Sequence, residues 1–297
     1  MNDVTARADG VDVVVLAPKR PGRGGRSAHG LLRSQPLVVA SMAILGLLVI
    51  CTAIPGIVAP GDPTTVSLPD ALSSPDSHHL LGTDQFGRDI LRRVVQGARV
   101  SLLIAIAATL LAGVIGTTIG LVAGFVGRFV DSSAMWLVDV MLSFPAFTLA
   151  LTIVAALGSG TSKVVLAVGI ALIPVYARVA RAEVLSIRER PYVEAARASG
   201  SSNASILWRH VLPNAAGPVV VLATVSLGTV LLAASSLSFL GLGAAPPSPE
   251  WGAMLADGRR FIGRAWWIPL FPGMALLLTV LSVNIVGQWL RERTDNR

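Results

Sequence analysis

The chain has 297 residues, 53% of them hydrophobic and only 14% charged, with 24 Lys plus Arg against 17 Asp plus Glu and a formal net charge of +7. A charged share that far below the roughly 25% usual in soluble domains excludes an ordinary water-soluble globule. A membrane β-barrel is excluded too, since nothing alternates over the ten-residue segments that barrel strands require.

Residues 1–36 are rich in Arg, Gly and Pro, with one apolar patch at 11–17, and read as a disordered basic cytoplasmic tail. The patch is too short for a secretory h-region. No folded module accompanies the basic charge, so nucleic acid is not an expected partner. Six apolar runs then approach or exceed the roughly 20 residues a helix needs to cross a bilayer. They are 37–59, 100–126, 137–157, 164–179, 219–240 and 268–290. The lipid bilayer is therefore the first partner, and helices are the expected form, because backbone amides in lipid must be satisfied within their own segment.

The first run reads as an uncleaved anchor, with Cys51, the only cysteine, as a buried apolar thiol. Residues 60–99 carry Arg88, Arg92, Arg93 and Arg99, which keeps them out of hydrocarbon. Ile90, Leu91, Val94 and Val95 share a helical face there, which predicts a helix lying along the interface, with Thr83 or Asp84 as its N-cap. The second span holds Gly116, Gly120 and Gly124, one turn apart, a spacing that lets helices approach closely in lipid. In the third, Asp139 lies just inside the boundary and is expected to meet water or an Arg of a neighbouring helix, and Pro145 interrupts one hydrogen bond. The fourth is short unless its helix runs on into the polar residues that follow. Trp266 and Trp267 precede the sixth span as an interfacial anchor, and residues 291–297 form a cytoplasmic C-terminus. With the N-terminus inside, the inner segments hold 16 of the 24 Lys plus Arg, which favours N-in and C-in.

The chain carries no phosphate-cradling lysine motif: Lys19 and Lys163 are its two lysines and neither follows the G-x-x-x-x-G pattern. No Ser–His–Asp set or nucleophile–base pair lies at matching depth, so no catalytic residue is expected. His29, His78, His79 and His210 lack metal-ligand spacing, and no metal site is expected either.

One polar segment stands out, "PYVEAARASGSSNASILWRHVLP" at 191–213, within a cytoplasmic loop at 181–213. Pro191 suits a helix N-terminus, and Gly200 suits a C′ position. Ser202 or Asn203 can cap a second helix that runs to Leu212 and stops at Pro213. Ala195, Ala196 and Ala198 permit close docking, and Glu194 and Arg197 can fix its register. From the residues alone, this segment either docks on another protein or lies on lipid headgroups.

"EAARASG" followed by Leu212–Pro213 resembles the EAA loop, E-A-A-x-x-x-G-x9-I-x-L-P, of the membrane subunits of bacterial ABC importers, with His210 at the usual Ile position. "LGTDQFGRDILRRVVQGARVSL", "VDVMLSFPAF", "LSFLGLGAAPPSPEWGAMLADGRR" and "FPGMALLLTVLSVNIVGQWLRE" resemble blocks of the C-type permease of dipeptide/oligopeptide transporters, in the peptide/nickel branch. Trp136 and Gln288 depart from it, standing where Arg and Asp are common. The resemblance implies an all-α protein of the bacterial inner membrane, with six transmembrane helices in the type I importer permease fold and residues 100–290 as its core. It implies a permease for di- or oligopeptides that is no enzyme itself. Its partners would be a homologous second permease, two ATP-binding subunits below and an extracytoplasmic binding protein above. The chain would hold no cofactor, with ATP and Mg on the ATP-binding subunits. Glu194, Ala195, Ala196, Arg197, Gly200, His210, Leu212 and Pro213 would form the ATPase-coupling element. Ser235, Ser236, Ser238 and Asn284, polar within spans, either line the pathway or bridge helices. A nickel or other small-solute importer is the alternative, and a self-contained channel or secondary carrier is an alternative of another class.

Overall fold

The computed structural model describes residues 4–8, 11–15 and 36–295. In the tail read as disordered, β1 (Val4–Ala8) and β2 (Val11–Val15) pair as an antiparallel hairpin with Val4 opposite Val15. Their β-branched residues favour strands, which explains the difference for these ten positions. The rest of the tail lies outside the described residues. The hairpin belongs to one compact unit, residues 1–36, and the helices to another, residues 37–297.

The helical unit runs α1 (Pro36–Ala53), α2 (Pro55–Val58), α3 (Ile90–Val126), α4 (Arg128–Leu142), α5 (Ala146–Leu157), α6 (Thr161–Arg188), α7 (Pro191–Ala198), α8 (Asn203–Ile206), α9 (Leu212–Phe239), α10 (Trp251–Gly258) and α11 (Trp267–Asp295). Five continuous helices among the described residues are long and apolar enough to cross a membrane, or six spans if α4 and α5 count as one bent crossing. The first span was expected over 37–59. Instead α1 stops at Ala53, because Pro55 forces Ile54 out of helical geometry (φ −131°).

Helix length corrects one expectation and meets the condition set for another. The interfacial helix and the second span are one rod, α3, of 37 residues. At 1.5 Å per residue it is about 55 Å long, well beyond a 30 Å hydrocarbon core, so its first turns project from the membrane with their arginines. Its N-cap is Asp89, whose carboxylate accepts from the Arg92 N–H at 3.0 Å; Thr83 and Asp84 do other work. The short fourth run lies within α6, 28 residues long, which runs on through the polar residues that follow as far as Arg188.

The third span is also corrected. It is two helices, α4 and α5, bent by 88°. Proline at 145 has no N–H to give, and it disfavours helix at Phe144. The 12 residues of α5 rise only about 18 Å, so this segment crosses only together with α4.

The bundle is built on α3 against α6. Gly116, Gly120 and Gly124 lie on the contact, opposite Ile173, Tyr176, Ala177, Ala180 and Val184. A Cβ at Gly120 would stand 2.3 Å from the Ala177 carbonyl oxygen, and one at Gly116 would stand 2.6 Å from that of Ile173. Gly120→Ala should therefore push the rods apart and cost about 1–3 kcal/mol. Gly113→Ala, whose Cβ would meet the Tyr176 ring at 3.6 Å, should be tolerated. Comparing the thermal midpoints of the two detergent-purified variants checks this, and equal midpoints would refute it.

The outer end, as the basic residues orient the chain, is closed by residues 60–89 and 240–266. Asp84, 4% exposed, pairs with Arg88 at 2.6 Å and Arg93 at 3.6 Å, both equally buried. Arg93 also donates to the Pro63 and Pro247 carbonyls, each at 3.3 Å, tying the two outer segments together. Glu250 caps α10, accepting from the N–H groups of Gly252 and Ala253 at 2.9 and 2.8 Å and from the Ser101 hydroxyl of α3 at 3.3 Å. Burial pushes its carboxyl above the usual range despite those donors. Trp267 does not anchor at the interface as expected. It is buried and donates to the Thr83 carbonyl at 3.1 Å, leaving Trp266 exposed. His79 is not simply solvated: its Nδ1 lies 2.9 Å from the Asp89 carboxylate.

Candidate functional site

The polar segment forms a helix, a glycine turn and a second helix at the inner end. Pro191 opens α7 directly after extended Arg190, where its missing N–H leaves no bond unmade. Gly200 has φ +82°, the left-handed region where only glycine sits without strain. The turn is closed by the Gly200 N–H on the Arg197 carbonyl and the Ser201 N–H on the Ala196 carbonyl, both at 3.1 Å. Those two bonds satisfy the carbonyls a helix end would orphan. The Ser202 hydroxyl then accepts from the Ser205 N–H at 3.3 Å and starts α8.

Pro213 does not end this second helix. The chain stays helical from Asn203 to Phe239, through a π-helical turn at Leu207–Val211. There the Leu212 N–H donates five residues back, to Leu207. The widened turn comes just before the residue that lacks a donor, so the proline is absorbed as a local distortion. The inner loop and the fifth span are one piece.

A cluster of buried apolar side chains holds the segment. Val184 and Ile187 end α6, Val193 points in from α7, and Ile206, Val211 and Ala215 come from the second helix, none more than 1% exposed. Leu121 and Phe125 of α3 pack against it. Burying each valine or isoleucine fully is worth about 1.5–3 kcal/mol, so the loop is fixed to the ends of three long helices. Val193, Ile206 and Val211 were missed in the sequence. Their signal was β-branched residues inside a polar stretch, with Ile206 and Val211 five positions apart on the second helix.

The expected coupling residues divide between two faces. Glu194, Ala195, Arg197 and Gly200 are exposed, while Ala196 is half-buried against the cluster. His210 is half-buried with its ring 6.2 Å from that of Tyr192, Leu212 is half-buried, and Pro213 is exposed. Neither Glu194 nor Arg197 has an ion-pair partner among the described residues. Their charges follow the helix dipole, acid in the first turn and base in the last. The face is a small polar knob, free to meet a complementary groove.

Charges lash the neighbouring helices around it. Asp139 meets Arg178 at 2.6 Å, the neighbour-helix arginine its depth called for. Asp131 accepts from Arg181 at 2.6 Å, and Arg188 donates to the Gly124 carbonyl at 2.6 Å. These bonds tie α4 and the end of α3 to α6.

The four polar residues named for the pathway do not share one surface. Ser235 and Ser238 are buried, each 3% exposed, with Ser238 beside Glu250. Ser236 is exposed, its hydroxyl donating to the Leu232 carbonyl of its own helix at 2.7 Å. Asn284 packs on α9, where a Cβ at Gly228 would stand 2.7 Å from its Oδ1. A hollow of 540 Å³ between α3 and the inner half of α9, bordered by Tyr176, Trp208, Leu212 and Val220, was also missed. Its walls are almost wholly apolar, which suits an acyl chain or another helix better than a polar solute. No group of His, Cys, Asp and Glu among the described residues is arranged to hold a metal.

Residues 116–297 match the family model described as the binding-protein-dependent transport system inner membrane component. The dipeptide transport system permease protein DppC of Alkalihalophilus pseudofirmus is 39% identical, over 91% of this chain and 89% of its own. The di/tripeptide transport system permease protein DppC of Pseudomonas aeruginosa is 41% identical, over 84% of each. The glutathione transport system permease protein GsiD of Pectobacterium atrosepticum is 43% identical, over 74% of this chain and 73% of its own. Among solved structures, a chain of the MetNI methionine ABC transporter in an inward-facing form superposes with a TM-score of 0.55 at 18% identity, covering 67% of this chain and 95% of that one. At that identity the likeness establishes the fold.

Proposed function

The chain belongs to the family of binding-protein-dependent transport system inner membrane components, and from that premise we propose that it is the permease subunit of an ATP-driven importer of di- or oligopeptides. It is a multi-pass protein of the inner membrane that forms half of the translocation pathway, with a homologous permease forming the other half. Two ATP-binding subunits, which hold ATP and Mg, dock at the inner end, and an extracytoplasmic binding protein delivers solute at the outer end. The chain itself performs no catalysis and needs no cofactor.

One observation carries the reading: an exposed, unpaired polar knob at 194–200 is riveted through Val193 and Ile206 to the ends of α3, α6 and α9. A contact that merely lay on headgroups would not need such a rigid root. Closure of the ATP-binding pair moves the knob, and the cluster passes that motion to whole helices as a switch between two packed states. Glu194 and Arg197 set the register of docking, and Ala195 and Gly200 let the groove approach closely.

The test is reconstitution. The complete importer in vesicles should take up labelled di- and tripeptides only with ATP and binding protein present, and this chain alone should move none. Peptide flux through the chain alone would make it a self-contained carrier. ATP-dependent uptake of nickel or another small solute, without peptide, would replace the substrate class and keep the rest.

A further inference from the structure

On α9, across the helix from the large apolar hollow, a second one of 350 Å³ opens near the outer end. Phe147, Phe239, Leu255 and Leu276 wall it, and the serines Ser235 and Ser236 add the polar groups. Four helices contribute to it: α5, α9, α10 and α11. Ser235 is only 3% exposed and its hydroxyl has no hydrogen-bond partner among the described residues. A buried hydroxyl left unpaired costs free energy unless a bound group satisfies it. The Arg259 guanidinium lies 5.6 Å from the centre of the Phe239 ring, one of the rings that wall the hollow. Arg259 is exposed and has no carboxylate within ion-pair distance among the described residues. Its neighbour differs: Arg260 interacts with Asp257.

Resting on the peptide reading above, we propose that this hollow is an outer-mouth subsite for the C-terminal end of the peptide. The free carboxylate of the solute pairs with Arg259, and its last side chain packs between the rings of Phe147 and Phe239. Ser235 and Ser236 supply hydroxyls for the adjacent peptide amide. Three features fit this occupant together. A planar guanidinium is suited to a carboxylate, held in place here by its stacking on an aromatic face. Apolar walls accept varied side chains without choosing among them. The polar groups are few, as in sites that fix orientation with a small number of contacts. An acyl chain would use the walls and leave Arg259 and Ser235 without partners.

The complete importer in vesicles tests the proposal, with labelled dipeptide outside. Arg259→Gln should lower uptake by about five- to tenfold, the worth of one partly exposed charge-assisted bond. Arg259→Glu should lower it further, and Arg259→Lys should restore most of it. ATP hydrolysis stimulated by the loaded binding protein should persist in all three. A photoreactive phenylalanine analogue at position 239 should label the peptide in the vanadate-trapped complex. Unchanged uptake in Arg259→Gln, equal loss in Arg259→Lys, a parallel fall in stimulated hydrolysis, or absence of label overturns the subsite. If the unmodified importer carries another solute and no peptide, the substrate class fails and the subsite with it. Peptide uptake indifferent to Arg259 sinks the subsite alone.

Discussion

Replacing Gly200 by proline should abolish ATP-driven uptake while leaving the chain inserted in the membrane at its normal level. The backbone at 200 has φ +82°, and proline is fixed near −65°. The same change deletes the N–H that Gly200 donates to the Arg197 carbonyl at 3.1 Å. The turn between α7 and α8 cannot form, so the knob bearing Glu194 and Arg197 is lost or misdirected. Insertion of the spans depends on their own apolar length, which this change leaves untouched. Gly200→Ala separates backbone strain from contact: a Cβ there meets nothing within 4 Å, and the left-handed conformation costs alanine only about 1–2 kcal/mol. It should keep most of the uptake. The checks are peptide uptake in vesicles, stimulated ATP hydrolysis, and crosslinking between position 197 and an ATP-binding subunit. Normal uptake in Gly200→Pro would defeat the coupling role assigned to the loop.

Asp84→Ala should be the most damaging single change at the outer end. It leaves Arg88 and Arg93, 4% and 3% exposed, without the carboxylate that both contact. It also removes the acceptor of the Phe86 and Arg88 N–H groups, at 2.8 and 3.0 Å. Breaking a buried ion pair on one side costs about 3–5 kcal/mol, because the remaining charge stays buried. Asp257 lies near enough to both arginines to interact, but it is not within ion-pair distance of either, so it compensates poorly. Asp84→Asn keeps the acceptor and loses only the charge, and should fall between. Thermal unfolding of the purified complex and protein level in the membrane would show this order. A midpoint for Asp84→Ala within a degree or two of the unmodified protein would contradict it.

The spans were legible in the sequence because the bilayer imposes a length on apolar runs, and Gly116, Gly120 and Gly124 stood one turn apart on what became the α3–α6 contact. Gly200 was legible for a similar reason: few residues serve at a positive φ. What stayed hidden depends on the third dimension. The polar start of α3 looked like a separate helix because its arginines exclude it from hydrocarbon, yet nothing in the chain interrupts the helix there. Pro145 and Pro213 look alike in sequence, but one accompanies an 88° bend and the other passes through a π turn. The neighbours of each proline decide which. The inner cluster around Val193 joins residues from 121 to 215, a set no local pattern announces. The outer arginines, read first as keeping residues 60–99 out of hydrocarbon, include buried fasteners at 88 and 93.

The unbroken helix from Asn203 to Phe239 has a mechanical corollary. Its 37 residues make a see-saw about 55 Å long. A tilt of about 10° around its midpoint swings each tip by roughly 5 Å, in opposite directions, by the geometry of a straight rod. Tugging the cytoplasmic tip and parting the walls around Phe239 are then a single displacement seen from two sides of the membrane, and no relay of intermediate residues is required.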